Sequence, residues 1–194
     1  MTTLVVARHG ETDWNRERRW LGQTDRPLTD LGREQARGLG RLLEGVALDA
    51  AYASDLSRAA NTARIALSGR GIGVTTMREL RERNLGSWEG LLDTEIPARF
   101  PVEYERWKNG NGFGASDAEP FATLAARVQS AVRKIAGDNA GKTVLVVAHA
   151  GPLRVMTAMA AGLDFVGYRK SIPEPQHGVA VRYDVTGGKL TKLE

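Results

Sequence analysis

Two stretches decide how this chain is read: Leu4-Val5-Val6-Ala7-Arg8-His9-Gly10, and Thr143-Val144-Leu145-Val146-Val147-Ala148-His149-Ala150-Gly151. Each is an unbroken apolar run, rich in β-branched residues, with a histidine directly after its strand-like part. Continuous rather than alternating apolar character predicts strands of a parallel sheet covered on both faces. Helical patterns lie between and after them. Leu28, Leu31, Leu39, Leu42 and Leu43 fall on one face behind a cap at Thr29. Phe121, Leu124, Ala125, Val128, Ala131, Val132 and Ile135 make a full stripe, with Pro120 placed to start it. Pro152, Val155, Met156, Met159 and Leu163 make a third, with Gly162 as its stop. A further short strand at 49–54 leads into a helix over 57–67. Near the C-terminus, strands at 179–185 and 189–193 flank the hairpin turn Thr186-Gly187-Gly188. Strands alternating with helices imply an α/β layered sheet, and the hairpin makes one edge antiparallel.

The chain has 194 residues, a length for a single domain, 1–194, that buries a sizeable core without staples. Cysteine is absent, which excludes disulfides, thiolate zinc sites, iron–sulfur clusters and cysteine nucleophiles. Apolar runs are too short for a membrane span, and the N-terminus enters a strand without a charged leader, so a cytoplasmic protein without membrane partners is expected. The net charge of +4 comes from arginines interleaved with carboxylates, as in Arg16-Glu17-Arg18-Arg19. That pattern argues against a nucleic-acid partner and suits a small anionic one. The polar, glycine-rich stretch 109–119 is expected to be a surface loop within a lid-like insertion around 93–119. Valine and tyrosine on the last strands, if exposed, suit pairing across a homodimer.

Ligands of parallel sheets bind beyond the carboxyl ends of the strands, where His9 and His149 both sit. A metal held by these histidines and a carboxylate is the obvious competitor, but the guanidinium of Arg8 would repel a cation. Arginine's forked donors match phosphate or carboxylate oxygens instead. Arg58, at the start of a helix, and Gly151, opening the helix after His149, add charge and free N–H groups. The expected site holds an anion, most simply a phosphoryl group, and no metal. His177, just ahead of a strand, reads as a surface-loop residue with the pocket rim as the alternative, and Trp14, Trp20, Trp88 and Trp107 as structural aromatics with substrate walls as the alternative. Glu11 and Asp13 read as turn and capping residues.

Four ordered blocks carry a resemblance: Arg8-His9-Gly10-Glu11-Thr12-Asp13-Trp14-Asn15 with Gly22-Gln23-Thr24-Asp25-Arg26-Pro27-Leu28-Thr29; Ser54-Asp55-Leu56-Ser57-Arg58-Ala59; Leu80-Arg81-Glu82-Arg83-Asn84-Leu85-Gly86; and Val147-Ala148-His149-Ala150-Gly151. Together they resemble the histidine phosphatase superfamily, its phosphoglycerate mutase-like branch. The resemblance implies a three-layer α/β/α fold with a mostly parallel central sheet. It makes His9 a nucleophile that becomes phosphohistidine, and Glu82 the proton donor to the leaving oxygen. It gives Arg8, Arg58 and His149 the phosphoryl oxygens, with Asn15 as a further donor and backbone at Gly22, Gln23, Ala150 and Gly151 completing the pocket. It implies no cofactor and no metal. Two arginines should keep His9 neutral, while a protonated His149 is expected to help hold the phosphoryl group. Ala150 stands where many members have glycine, which matters if that backbone needs φ > 0. Three functions stay open: a metal-independent phosphomonoester hydrolase acting on a small anionic phosphorylated metabolite, a cofactor-dependent phosphoglycerate mutase, and a non-catalytic phospho-ligand binding module. Substrate choice depends on residues 93–119 and 164–177.

Overall fold

Six strands make one sheet in the order β3-β2-β4-β1-β5-β6. The computed structural model describes residues 1–110 and 114–193. In chain order the elements are β1 (Thr2–Arg8), α1 (Asp13–Arg16), α2 (Asp30–Leu42), β2 (Ala50–Ser54), α3 (Ser57–Ala66), β3 (Val74–Met77), α4 (Ile96–Arg99), α5 (Pro101–Lys108), α6 (Phe121–Asp138), β4 (Thr143–Ala148), α7 (Ala150–Ala161), α8 (Phe165–Tyr168), β5 (Ala180–Thr186) and β6 (Lys189–Lys192). The pairs β3·β2, β2·β4 and β4·β1 are parallel, whereas β1·β5 and β5·β6 are antiparallel.

The unbroken apolar character of β1 and β4 is explained by what covers them. Leu4, Val6, Val144 and Val146 pack with Leu124, Val128, Val132 and Ile135 of α6 and Val155 and Met156 of α7. Val5, Ala7, Leu145 and Val147 face the other way, onto Leu39 of α2, Leu43 just after it, and Ala59 and Ala63 of α3. Alternate residues therefore serve opposite layers, as a sheet between two helical layers requires. The register pairs Arg8 with Ala148, so His9 and His149 follow side by side at the same end of the sheet.

The sequence-based elements are present, with informative differences. Thr29 caps α2, its hydroxyl accepting from Gly32 N at 3.0 Å, and Gly162 ends α7 at φ +66°. The buried stripe of α2 keeps part of the expected leucine face: Leu28, Leu39 and Leu43 are buried together with Gly32 and Ala36, while Leu31 and Leu42 are 54% and 64% exposed. Small residues share the stripe because the helix start lies against the β1–α1 loop; a Cβ on Gly32 would sit 2.1 Å from Glu11 O. The edge strand β3 and the short helices α1, α4, α5 and α8 carry too little periodicity to be read from sequence. Of the valine and tyrosine on the last strands, Tyr183 and Val185 are buried in the core, while Val179 is 46% exposed.

Within 93–119, α4 and α5 pack Ile96, Phe100, Tyr104 and Trp107 around Trp88 and Trp20 as a small aromatic core. The expected 109–119 surface loop includes 111–113, which lie outside the described residues; Ala115 and Ala118 of that stretch are buried against Trp88. No described helix is long and apolar enough to cross a membrane.

Candidate active site

His9 leaves the end of β1 only 2% exposed. Its Nδ1 lies 2.7 Å from Gly10 O. A carbonyl can only accept, so Nδ1 carries the proton and Nε2 keeps a lone pair. Burial first, then the charges of Arg58 and Arg8, hold His9 well below 6.5 and keep it neutral at pH 7. Thr62 fixes the loop behind it, accepting from Gly10 N at 3.0 Å and donating to Arg58 O at 2.7 Å.

His149 is fully buried, its ring 5.0 Å from that of His9. Arg58 Nε donates to its Nδ1 at 3.3 Å, so the proton of the neutral ring sits on Nε2. That Nε2 is buried and has no partner among the described residues. Burial, followed by the charge of Arg58, holds His149 well below 6.5. The expected imidazolium is thus replaced by a neutral ring offering one N–H, because two arginines and burial oppose a third cation.

Arg58 is fully buried. Its terminal nitrogens donate to Thr24 O at 2.9 Å and Gly22 O at 2.6 Å. Each retains one further N–H, and burial lowers its pKa only to about 10, so it stays charged. Arg8 is anchored through one nitrogen to Glu174 Oε1 at 2.7 Å and Pro175 O at 2.9 Å, while its Nε is buried and unpartnered.

Glu82 faces this group from the segment between β3 and α4. Its carboxylate accepts from Arg83 N at 2.7 Å and from Gly151 N at 3.1 and 3.2 Å. Gly151 is required by that contact, since a Cβ there would lie 2.2 Å from Glu82 Oε1. Ala150 sits in the first turn of α7 with negative φ, so alanine in place of glycine costs nothing.

Other expected site residues are placed differently. Asn15 Oδ1 closes a capping box with Thr12, accepting from Thr12 N at 3.1 Å, which leaves only its amide NH₂ to donate. The backbone at Gly22 and Gln23, expected to complete the pocket, is engaged within the protein. Gly22 offers its carbonyl to Arg58, and Gln23 N donates to Glu89 Oε1 at 2.8 Å. Glu11 and Asp13 serve as the turn residues expected, Glu11 accepting from the Thr29 hydroxyl and Asp13 pairing with Arg26.

Sequence reasoning missed three supports. Arg127 of α6 donates to the carbonyls of Glu79, Arg81 and Glu82 at 2.6–2.9 Å and pairs with Glu119, fixing the backbone that carries Glu82. Glu89 ties Gln23 and Thr24 to Leu85. His177, expected on a surface loop, donates from Nδ1 to His9 O at 2.6 Å. None of the three directly follows a strand in sequence. Their roles come from contacts spanning 45 residues or more for Arg127 and 168 for His177. Among the described residues, no three His, Asp or Glu are grouped to hold a metal ion.

The arrangement brings His9, His149, Arg8, Arg58 and Glu82 to one sheet end: a neutral imidazole with a free lone pair, unpartnered N–H groups on Arg8 and His149, and a carboxylate opposite. Comparison with known proteins shows the family. The family model "Histidine phosphatase superfamily (branch 1)" matches residues 4–194. The chain is 36% identical over 159 residues to "Phosphoglycerate mutase-like protein 4" of Arabidopsis thaliana, covering 78% of this chain and 67% of that protein. It is 33% identical over 161 residues to "Adenosylcobalamin/alpha-ribazole phosphatase" of Escherichia coli, covering 82% and 79%. Bacillus stearothermophilus YhfR superimposes with a TM-score of 0.92 at 35% identity, covering 99% of this chain and 95% of that one. With the histidine pair, its arginines and the glutamate on one parallel sheet end, the chain belongs to the histidine phosphatase superfamily.

Proposed function

We propose that this chain is a phosphomonoester phosphatase working through a phosphohistidine. The observation that carries the reading is the pair of buried, unpartnered N–H donors, Arg8 Nε and His149 Nε2, beside a neutral His9. Buried donors without acceptors are costly, and a tetrahedral oxyanion satisfies both. In the first step the His9 Nε2 lone pair attacks phosphorus, the P–O bond breaks, and its electron pair leaves on oxygen with a proton from Glu82. In the second, water attacks phosphorus and gives its proton to Glu82. The P–N bond breaks and its pair returns to Nε2, releasing phosphate. Positioning, the preorganised charges of Arg8 and Arg58, and the His149 N–H lower both barriers, as phosphoryl transfer requires.

The leaving group is anionic in this reading. Arg154 follows Gly151 by about one turn of α7 and carries a buried Nε with no hydrogen-bond or ion-pair partner among the described residues. Burial lowers its pKa, and the charges of Glu174 and Glu82 oppose that shift. A carboxylate or second phosphate on the leaving group satisfies it.

The test is phosphate release from an aryl phosphate and from 3-phosphoglycerate, with chelator, for the native chain and His9→Ala. Chelator-resistant release lost in the variant supports the reading. Isomerisation of 3-phosphoglycerate primed by 2,3-bisphosphoglycerate, without net release, makes it a mutase. Binding without turnover makes it a phospho-ligand module.

A further inference from the structure

Three imidazoles, not two, stand in a row at this end of the sheet. His149 follows β4 and His9 follows β1, while His177 lies just before β5 and forms a bridge with Arg8. The His9 ring is 5.0 Å from that of His149 on one side and 5.3 Å, edge-on, from that of His177 on the other. The short segment ahead of β5 grips both of the residues that open the site: Glu174 and Pro175 hold Arg8, and His177 holds His9. Because His9 O can only accept, His177 carries its proton on Nδ1, and its Nε2 lone pair points to the far side of the ring. That Nε2 has no partner among the described residues and is not among the buried unpartnered atoms, so a ligand or solvent can reach it.

We propose that His177 is a third imidazole of the phosphoryl site, taking up a proton as an oxyanion binds so that Nε2–H becomes a further donor. This rests on the oxyanion-site reading above and extends it. The groups facing His177 are Arg8, His9, Glu174 and Glu11. In the empty site, burial and then the Arg8 charge hold His177 below 6.5, while Glu174 and Glu11 oppose them. An incoming dianion offsets the Arg8 charge and so favours the protonated ring, and linkage requires the proton to strengthen anion binding in return.

Sulfate is the probe, because it stays dianionic across the range and does not react. Its affinity is measured calorimetrically between pH 8 and pH 6 for the native chain, His177→Asn and His177→Gln. Asparagine keeps an N–H for His9 O but cannot titrate. A proton fully taken up by His177 adds about tenfold in affinity per pH unit. The native slope is therefore expected to be steeper than that of either variant by up to one proton. Equal slopes overturn the proposal. Sulfate that binds at no pH overturns the oxyanion site itself, and this inference with it. A second measurement does not depend on variant affinities. The three histidines give three ring Cε1–H resonances, and sulfate should raise the titration midpoint of the one missing from His177→Asn. A midpoint unmoved by sulfate overturns the proposal.

Discussion

Replacing Gly151 by alanine is a minimal change aimed at Glu82. The new methyl would lie 2.2 Å from Glu82 Oε1 and 3.3 Å from its Cδ. Carbon and oxygen normally approach no closer than about 3.3 Å, so the carboxylate must retreat by about 1 Å. The clash is with the end of a flexible side chain, so the fold absorbs it. Glu82 loses its bonds from Gly151 N and Arg83 N, about 1–2 kcal/mol together once water replaces them. Exchange of glycine for alanine in α7 returns up to about 1 kcal/mol. The net change is about 0–2 kcal/mol, a Tm shift of roughly 0–8 °C for a chain of this size. The effect on chemistry is larger. General acid catalysis contributes about 10²–10⁴-fold, and a misplacement of about 1 Å costs about 10²-fold. For an alkyl phosphate, whose leaving oxygen needs a proton, kcat/KM should fall about 10²-fold. For 4-nitrophenyl phosphate, whose phenolate leaves unaided, the fall should be at most severalfold. Steady-state phosphate release from both esters, alongside Glu82→Gln, makes the measurement. Equal losses on the two esters, or no loss on the alkyl ester, would refute the assignment of Glu82 as the acid and of Gly151 as its seat.

Stability should depend on pH in a window that the histidines own. His9 and His149 are held well below 6.5 when folded, so the unfolded chain takes up protons first. Their contribution is complete above pH 6.5 and is lost as pH falls toward the folded values, at about 1.4 kcal/mol per pH unit for each. The lowered carboxylates Asp13, Asp55 and Asp117 act only below 3.8. Urea midpoints between pH 7 and 5 should therefore fall, and a flat profile would contradict the burial of neutral imidazoles. Arg154→Gln should reduce the preference for an ester with a carboxylate on its leaving group over a neutral one by about 10–100-fold, with Arg154→Lys retaining part of it. A ratio unchanged by Arg154→Gln counts against an anionic leaving group. Arg127→Leu leaves Glu119 unpaired at 11% side-chain exposure and releases three carbonyls, so chemical unfolding should register a loss of about 3–5 kcal/mol.

The parts of the fold legible from sequence were those written in local pattern. β1 and β4 announce themselves because both faces are covered, and α6 because its apolar stripe is complete. At Leu31 the leucine face of α2 misled because close backbone approach at Gly32 outweighed side-chain size, and residue type alone does not show which small residue meets another backbone. At the site, residues at strand ends and helix starts were visible: Arg8, His9, Arg58, His149 and Gly151. Those that set its chemistry through distant contacts were not. Arg127 reads as an ordinary helix-surface arginine until its carbonyl partners are seen, and His177 as a loop residue until the sheet order brings it beside His9. The protonation of His149 was misjudged for a related reason. Sequence shows the arginines nearby but not the depth at which they act.

The central claim is that His9 carries the phosphoryl group in turnover. The most direct measurement is rapid acid-free quenching of the native chain with ³²P-labelled substrate in chelator, followed by peptide mapping by mass spectrometry. The account predicts an acid-labile, base-stable phosphate on His9, formed and discharged at rates no slower than kcat and absent in His9→Ala. Turnover with no phosphohistidine at His9, or with label on another residue, would contradict it.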